Sequence, residues 1–224
     1  MDIIHIEVRY TEIFNLSKEL LEILPKKIIL FTTIQYFNSL DNFLSQLESH
    51  GIEVKLIKPR HTEYAGQILG CSNAKVSEDE DFLYIGDGLF HPRALLLKNE
   101  KKVYTYNPKS EEINVFDEKF VEKLKKQLYG KYVRFLSSKN IGVLITTKSG
   151  QCKYKLTENL KKDFPDKNFY FFLDNTYNFN SLKDFNFIDM FLNTMCERIG
   201  YDDSDVQDIS ILNVEDLYEL KNNS

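Results

Sequence analysis

Two uninterrupted apolar runs stand out against an otherwise mixed chain. Lys27-Ile28-Ile29-Leu30-Phe31-Thr32-Thr33 and Ile141-Gly142-Val143-Leu144-Ile145-Thr146-Thr147 match in length, in apolarity and in their closing Thr-Thr pair. Continuous rather than alternating apolarity predicts strands buried on both faces, as in a parallel sheet covered by helices. After the first run, Phe37, Leu40, Phe43, Leu44 and Leu47 recur at helical spacing, with Asp41 and Glu48 off that stripe. His50-Gly51 supplies a stop, and Ile52-Glu53-Val54-Lys55-Leu56-Ile57 reads as the next strand. Strand, helix and strand with short connections make a βαβ unit, whose crossover is right-handed.

The second half repeats the scheme. A helical segment is expected near Tyr154 to Leu160, then an aromatic strand from Phe169 to Leu173, then a third run from Phe187 to Leu192 that leads into Cys196. Between the halves, Asn107-Pro108-Lys109-Ser110 marks a turn. Phe116, Phe120, Leu124 and Leu128 recur every fourth residue and predict a long amphipathic helix able to brace two domains. The expected fold class is α/β: two tandem domains, residues 1–110 and 111–224, each a mostly parallel sheet flanked by helices.

Composition narrows the function classes. A net charge of −5 over 224 residues argues against direct nucleic-acid binding through the phosphate backbone, which rests on clustered Lys and Arg. No apolar run approaches the roughly 20 residues that span a bilayer, so no membrane association is expected. The start, Met1-Asp2-Ile3-Ile4-His5, lacks the basic and apolar regions of a secretory signal. Three cysteines, an odd number, suit a reducing compartment rather than a disulfide framework. A soluble cytoplasmic protein is the expectation.

Chemistry concentrates in a few short stretches. Gly86-Asp87-Gly88 follows the strand around Leu83-Tyr84-Ile85, and His91-Pro92 comes just after it. A glycine loop at the carboxyl end of a parallel strand lets backbone amides approach an anion or a nucleotide; an ordinary tight turn is the plainer alternative. Cys71 follows Gly66-Gln67-Ile68-Leu69-Gly70, and Cys196 lies in Asn193-Thr194-Met195-Cys196-Glu197-Arg198. Each cysteine alone would be a small buried residue. No paired ligands stand a few residues apart, which disfavours zinc; cysteines so distant in sequence meet only where two domains face each other.

Those stretches, with Thr146-Thr147-Lys148-Ser149-Gly150-Gln151 and Asp202-Asp203, resemble one family in order and spacing from about residue 5 onward. The family is the radical enzyme of diphthamide synthesis, 2-(3-amino-3-carboxypropyl)histidine synthase, in its archaeal form. The resemblance implies α/β domains that each give one cysteine to a [4Fe-4S] cluster, with Cys71 and Cys196 on the ligand positions of the second and third domains. It implies that S-adenosylmethionine binds the open iron. A 3-amino-3-carboxypropyl radical is then released to a histidine of translation elongation factor 2. Gly86, Asp87, Gly88 and His91 would line the S-adenosylmethionine pocket from one domain, and Lys148, Gly150 and Gln151 from the other. Gln67, Gly70 and Arg198 would support the ligands. Lys148 is otherwise a solvated loop lysine, and Arg198 otherwise a surface partner of Asp202 or Asp203.

The chain departs from the family in three places. Glu197 stands where the family carries proline after the cysteine, and an acid there should make the cluster harder to reduce. Cys152 is an incidental thiol or a replacement ligand. No stretch matches the first domain, and Met1 falls near the start of the second. A separate first-domain polypeptide or an unlike subunit is therefore expected as partner, in an oligomer. Two alternatives stand beside this reading: a non-catalytic or electron-relaying subunit of the same complex, and a small-molecule-binding α/β protein without a cluster.

Overall fold

The computed structural model describes residues 6–59, 61–70, 76–77, 79–88, 90–99, 101–148, 150–203 and 209–223. Two compact units follow one another, Met1–Leu124 and Lys125–Ser224. Among the described residues, no helix is long and apolar enough to cross a membrane.

The first unit is a five-stranded sheet in the order β2-β1-β3-β4-β5. Its strands are β1 (Lys27–Thr32), β2 (Glu53–Lys55), β3 (Asp81–Ile85), β4 (Val103–Tyr106) and β5 (Ile113–Phe116). The first four run parallel, and β5 pairs antiparallel with β4. The apolar run expected as a two-sided buried strand is β1, exposed only at Lys27. Alternate β1 residues feed two cores. Ile28 and Leu30 join Leu83, Ile85, Phe43 and Leu47 on one face, while Ile29 and Phe31 join Phe82, Tyr84, Leu95 and Leu96 on the other. Helix α1 (Lys18–Ile23) opens with the Ser17 hydroxyl accepting from the Leu20 amide at 3.3 Å. The expected helix after β1 is a short 3-10 turn, Ile34–Ser39, running into α2 (Leu40–Ser49). Helix α3 (Phe90–Lys98) follows β3.

The turn at Asn107-Pro108-Lys109-Ser110 lies inside this sheet rather than between domains. It closes the β4–β5 hairpin, with the Glu111 amide bonded to the Asn107 carbonyl at 2.8 Å and the Asn107 amide to the Glu112 carbonyl at 3.0 Å. The two units instead divide within α4 (Glu118–Ser137). Asp117 starts that helix, its Oδ1 accepting from the amides of Lys119 and Phe120 at 3.1 and 3.3 Å. Phe116 is thus a strand residue, and the helical stripe begins at Phe120. Phe120, Val121 and Leu124 serve the first unit's core, and Leu128, Tyr132 and Phe135 the second's.

The second unit is an all-parallel sheet in the order β7-β6-β8-β9. Its strands are β6 (Asn140–Thr146), β7 (Asn168–Asp174), β8 (Met190–Asn193) and β9 (Ile211–Asn213). The second apolar run is β6, paired on both sides and buried after Asn140. The aromatic strand β7 lies at the edge and leaves Tyr170, Phe171 and Leu173 exposed. The single helix expected from Tyr154 is broken into a 3-10 turn, Tyr154–Thr157, and one turn of α-helix, α5 (Leu160–Asp163). Pro165 explains the stop, because a residue before proline is pushed out of helical geometry; Phe164 sits at φ −136°, ψ 69°. Helix α6 (Val214–Asn222) closes the unit.

Candidate functional site

In the first unit, candidate residues gather where β1 and β3 end. The strands pair through Thr32↔Ile85, and the Thr32 hydroxyl donates to the Ile85 carbonyl at 2.7 Å. The Gly66–Ile68 segment runs along the other side of that strand end: Thr32 N bonds Gly66 O at 2.8 Å, and Ile68 N bonds Thr32 O at 3.0 Å. Gly86 is buried, while Asp87 and Gly88 are exposed. Gly88 has φ +65°, a left-handed geometry that glycine adopts without strain. The Tyr84 phenol donates to the Asp87 carbonyl at 3.2 Å and lies 3.3 Å from His91 Nδ1, the two rings stacking at 5.9 Å. Burial, reinforced by the charge of Asp87, raises the Tyr84 pKa well above the ordinary tyrosine value. The phenol therefore stays neutral and fastens the loop to the first turn of α3. Asp87, Gly86, Gly88 and His91 thus share one strand-end site.

Gln67 and Gly70 have structural explanations of their own. The Gln67 carbonyl oxygen accepts from the amides of Glu63 and Tyr64 at 2.8 and 3.1 Å, stapling its own loop. Gly70 lies against the Phe90 ring, which an added Cβ would displace. Cys71 lies outside the described residues.

In the second unit, Cys196 leaves the carboxyl end of β8 on a loop with a polar foundation. Thr194 bonds through both its amide and its hydroxyl to the Leu144 carbonyl, at 3.1 and 2.8 Å. The Asn193 amide group donates to the Cys196 carbonyl at 2.9 Å and to Asn213 Oδ1 at 2.7 Å. Asn213 in turn donates to the Glu197 carbonyl at 3.0 Å and to Asp216 at 2.9 Å. Tyr201 donates to the other Asp216 oxygen at 2.6 Å, and its pKa is raised by burial and then by Asp216. Sequence reading missed this network, since Asn193, Asn213 and Asp216 carry no motif.

The acid beside Cys196 is partly offset by a cation it shares with a second acid. Lys153 Nζ lies 3.0 Å from Glu197 and 2.7 Å from Glu215. Burial alone would lower the Lys153 pKa, but its bonds to Glu215 and Glu197 outweigh that and raise it. Arg198 is 4% exposed, so it is not the surface residue of the plainer alternative; the side chains of Asp202 and Asp203 lie outside the described ones. Lys148, Gly150 and Gln151 form an exposed turn after β6, with Gln151 N bonded to Lys148 O at 3.1 Å and Gly150 at φ +77°. Because β6 and β8 are adjacent and parallel, this turn and Cys196 occupy the same end of the sheet.

Cys196 is a free, partly exposed thiol, and Cys152 is a free, exposed one. Among the described residues no three His, Cys, Asp or Glu side chains come together to hold a metal. The donor chemistry at Cys196 nevertheless suits iron–sulfur ligation. Its thiol is accessible, and two residues on stands a buried guanidinium that keeps its positive charge at any physiological pH.

The fold is α/β, two units each built on a mostly parallel sheet with candidate residues gathered at strand ends. The family of diphthamide synthesis proteins matches residues 1–219, and the chain belongs to that family. The 2-(3-amino-3-carboxypropyl)histidine synthase of Pyrococcus horikoshii is 31% identical over 188 residues, 80% of this chain and 53% of that relative. The enzyme of that name from Methanocaldococcus jannaschii is 30% identical over 188 residues, 80% and 47% of the two chains. A crystal structure of Dph2 from Pyrococcus horikoshii with a 4Fe-4S cluster superposes with TM-score 0.78 at 26% identity, covering 92% of this chain and 60% of that one. The chain spans about half the length of the curated relatives it matches.

Proposed function

We propose that this protein acts in the first step of diphthamide synthesis. It would transfer a 3-amino-3-carboxypropyl group from S-adenosylmethionine to a histidine of translation elongation factor 2. Cys71 and Cys196 would hold a [4Fe-4S] cluster, with the remaining thiolate supplied by polypeptide beyond these 224 residues. The cluster, when bound, supplies the electron that splits the sulfonium. Cutting the bond to the aminocarboxypropyl group leaves methylthioadenosine as the other product.

The remaining work belongs to the chain's own residues. The Gly86-Asp87-Gly88 loop, fixed by Tyr84, and the turn holding Lys148 would bind and orient S-adenosylmethionine, the lysine meeting its carboxylate. Arg198 would offset the negative charge of the thiolates. The observation that carries this reading is Cys196: a free thiol on a braced loop at the carboxyl end of a parallel sheet, in a chain matched to the family over residues 1–219.

Anaerobic reconstitution of the full protein with iron and sulfide tests it, with first-domain polypeptide added. Cys71→Ala and Cys196→Ala should each lose the brown absorption and the release of methylthioadenosine, while Cys152→Ala keeps both. Full activity in the first two variants would assign the chain a supporting, non-catalytic role. A protein that stays colourless throughout would leave only an α/β ligand-binding fold.

A further inference from the structure

Two buried hydroxyls just past the end of β1 are poorly satisfied within the fold. Thr33 is 4% exposed and Tyr36 1%; Thr33 Oγ1 has no hydrogen-bond partner among the described residues, and Tyr36 Oη has none of good geometry, only the nearby Tyr10 phenol. Nearly all buried polar side chains do find partners, because an unmet one forfeits the hydration it had when unfolded. Thr33 even occupies the position before a 3-10 turn, where its hydroxyl commonly caps, and makes no such bond. Its neighbour Thr32, by contrast, is fully engaged with Ile85 at 2.7 Å.

Both residues stand at the strand-end site. The Thr32↔Ile85 pairing puts Thr33 in step with Gly86, the first residue of the Gly-Asp-Gly loop. The turn that carries Tyr36 is held by its amide bonding to the Thr33 carbonyl at 3.0 Å. Burial first, then the charge of Asp87, then Tyr10, push the Tyr36 pKa up to about 12. The phenol is therefore a neutral hydrogen-bond donor at physiological pH.

We infer that the Thr33 hydroxyl and the Tyr36 phenol are hydrogen-bonding groups for the polar part of the ligand received at this strand end, with Asp87 as the matching acceptor. This rests on the proposed reading that the ligand is S-adenosylmethionine. A carboxylate beside two neutral hydroxyls suits a group that donates hydrogen bonds, which that molecule offers as its ammonium and as its ribose diol. Ligand-free, the hydroxyls are left poorly satisfied; ligand-bound, they are satisfied.

The test uses Thr33→Val and Tyr36→Phe in the full reconstituted protein. Calorimetric binding of S-adenosylhomocysteine and 5′-methylthioadenosine is measured, together with thermal unfolding without ligand. Each variant should bind S-adenosylhomocysteine roughly tenfold more weakly while its melting temperature is unchanged or raised. Equal weakening toward methylthioadenosine assigns the contact to the ribose; weakening confined to S-adenosylhomocysteine assigns it to the amino-acid end. Unaltered affinity in both variants overturns the inference, as does a lowered melting temperature in both, the mark of structural hydroxyls. Failure of the unsubstituted protein, with its cluster present, to bind either compound sinks the ligand reading and this inference with it.

Discussion

Glu197 illustrates how a side chain's effect depends on the company it keeps. Read alone, an acid next to the proposed cluster ligand opposes reduction; in the fold, Lys153 partly offsets it from 3.0 Å while also pairing with Glu215 at 2.7 Å. Lys153→Met should therefore move the midpoint potential of the reconstituted cluster to more negative values, measured by spectroelectrochemistry, and adding Glu197→Gln should reverse most of that shift. Tyr36 carries a pH prediction. Its folded pKa of about 12 lies above the ordinary tyrosine value of 10.0, so its ionisation opposes folding: stability is untouched by it below pH 10 and falls as pH rises toward 12. Urea midpoints should fall across that alkaline window, and less steeply in Tyr36→Phe. None of this was legible in the sequence: Lys153 and Glu197 are 44 positions apart, and a poorly satisfied hydroxyl leaves no pattern in composition.

The βαβ runs were legible because continuous apolarity has one economical solution, a strand covered on both sides; β1 and β6 follow it closely. The failures have local causes. Phe116 continued a helical spacing although Asp117 caps a helix that starts after it. The segment expected to be helical from Tyr154 to Leu160 is a 3-10 turn followed by a separate α-turn, and β9, three residues long, was too brief to register. That short strand nevertheless supplies Asn213, which ties the Cys196 loop to α6 through Asp216. Asn213→Ala should cost about 1–3 kcal/mol in urea denaturation, since it strips buried groups of their partners. Gly200→Ala should cost a similar roughly 1–3 kcal/mol by overpacking, because an added Cβ would strike the Asn213 side chain.

Each unit buries a core of its own, Leu83 among the residues of one and Leu192 of the other, both fully inaccessible. Leu192→Ala should cost about 2–5 kcal/mol and raise amide exchange in peptides from β6, β8 and β9 while β1, β3 and β4 exchange as before; mass spectrometry would show it. Family membership was readable in the sequence because it rests on several short stretches kept in order, each weak alone. The division between units was not. A proline turn looks the same whether it joins two strands of a hairpin or two domains, and only the β4–β5 ladder distinguishes them.

The asparagine and aspartate bonds beneath Cys196 join polypeptide groups to one another. The loop's shape is therefore a property of the polypeptide, so ligation there need not drive folding as it does in small zinc domains. Under the proposed ligation, oxygen damage that strips the iron should leave a ready mould at this cysteine, and repair becomes a matter of resupply rather than renaturation.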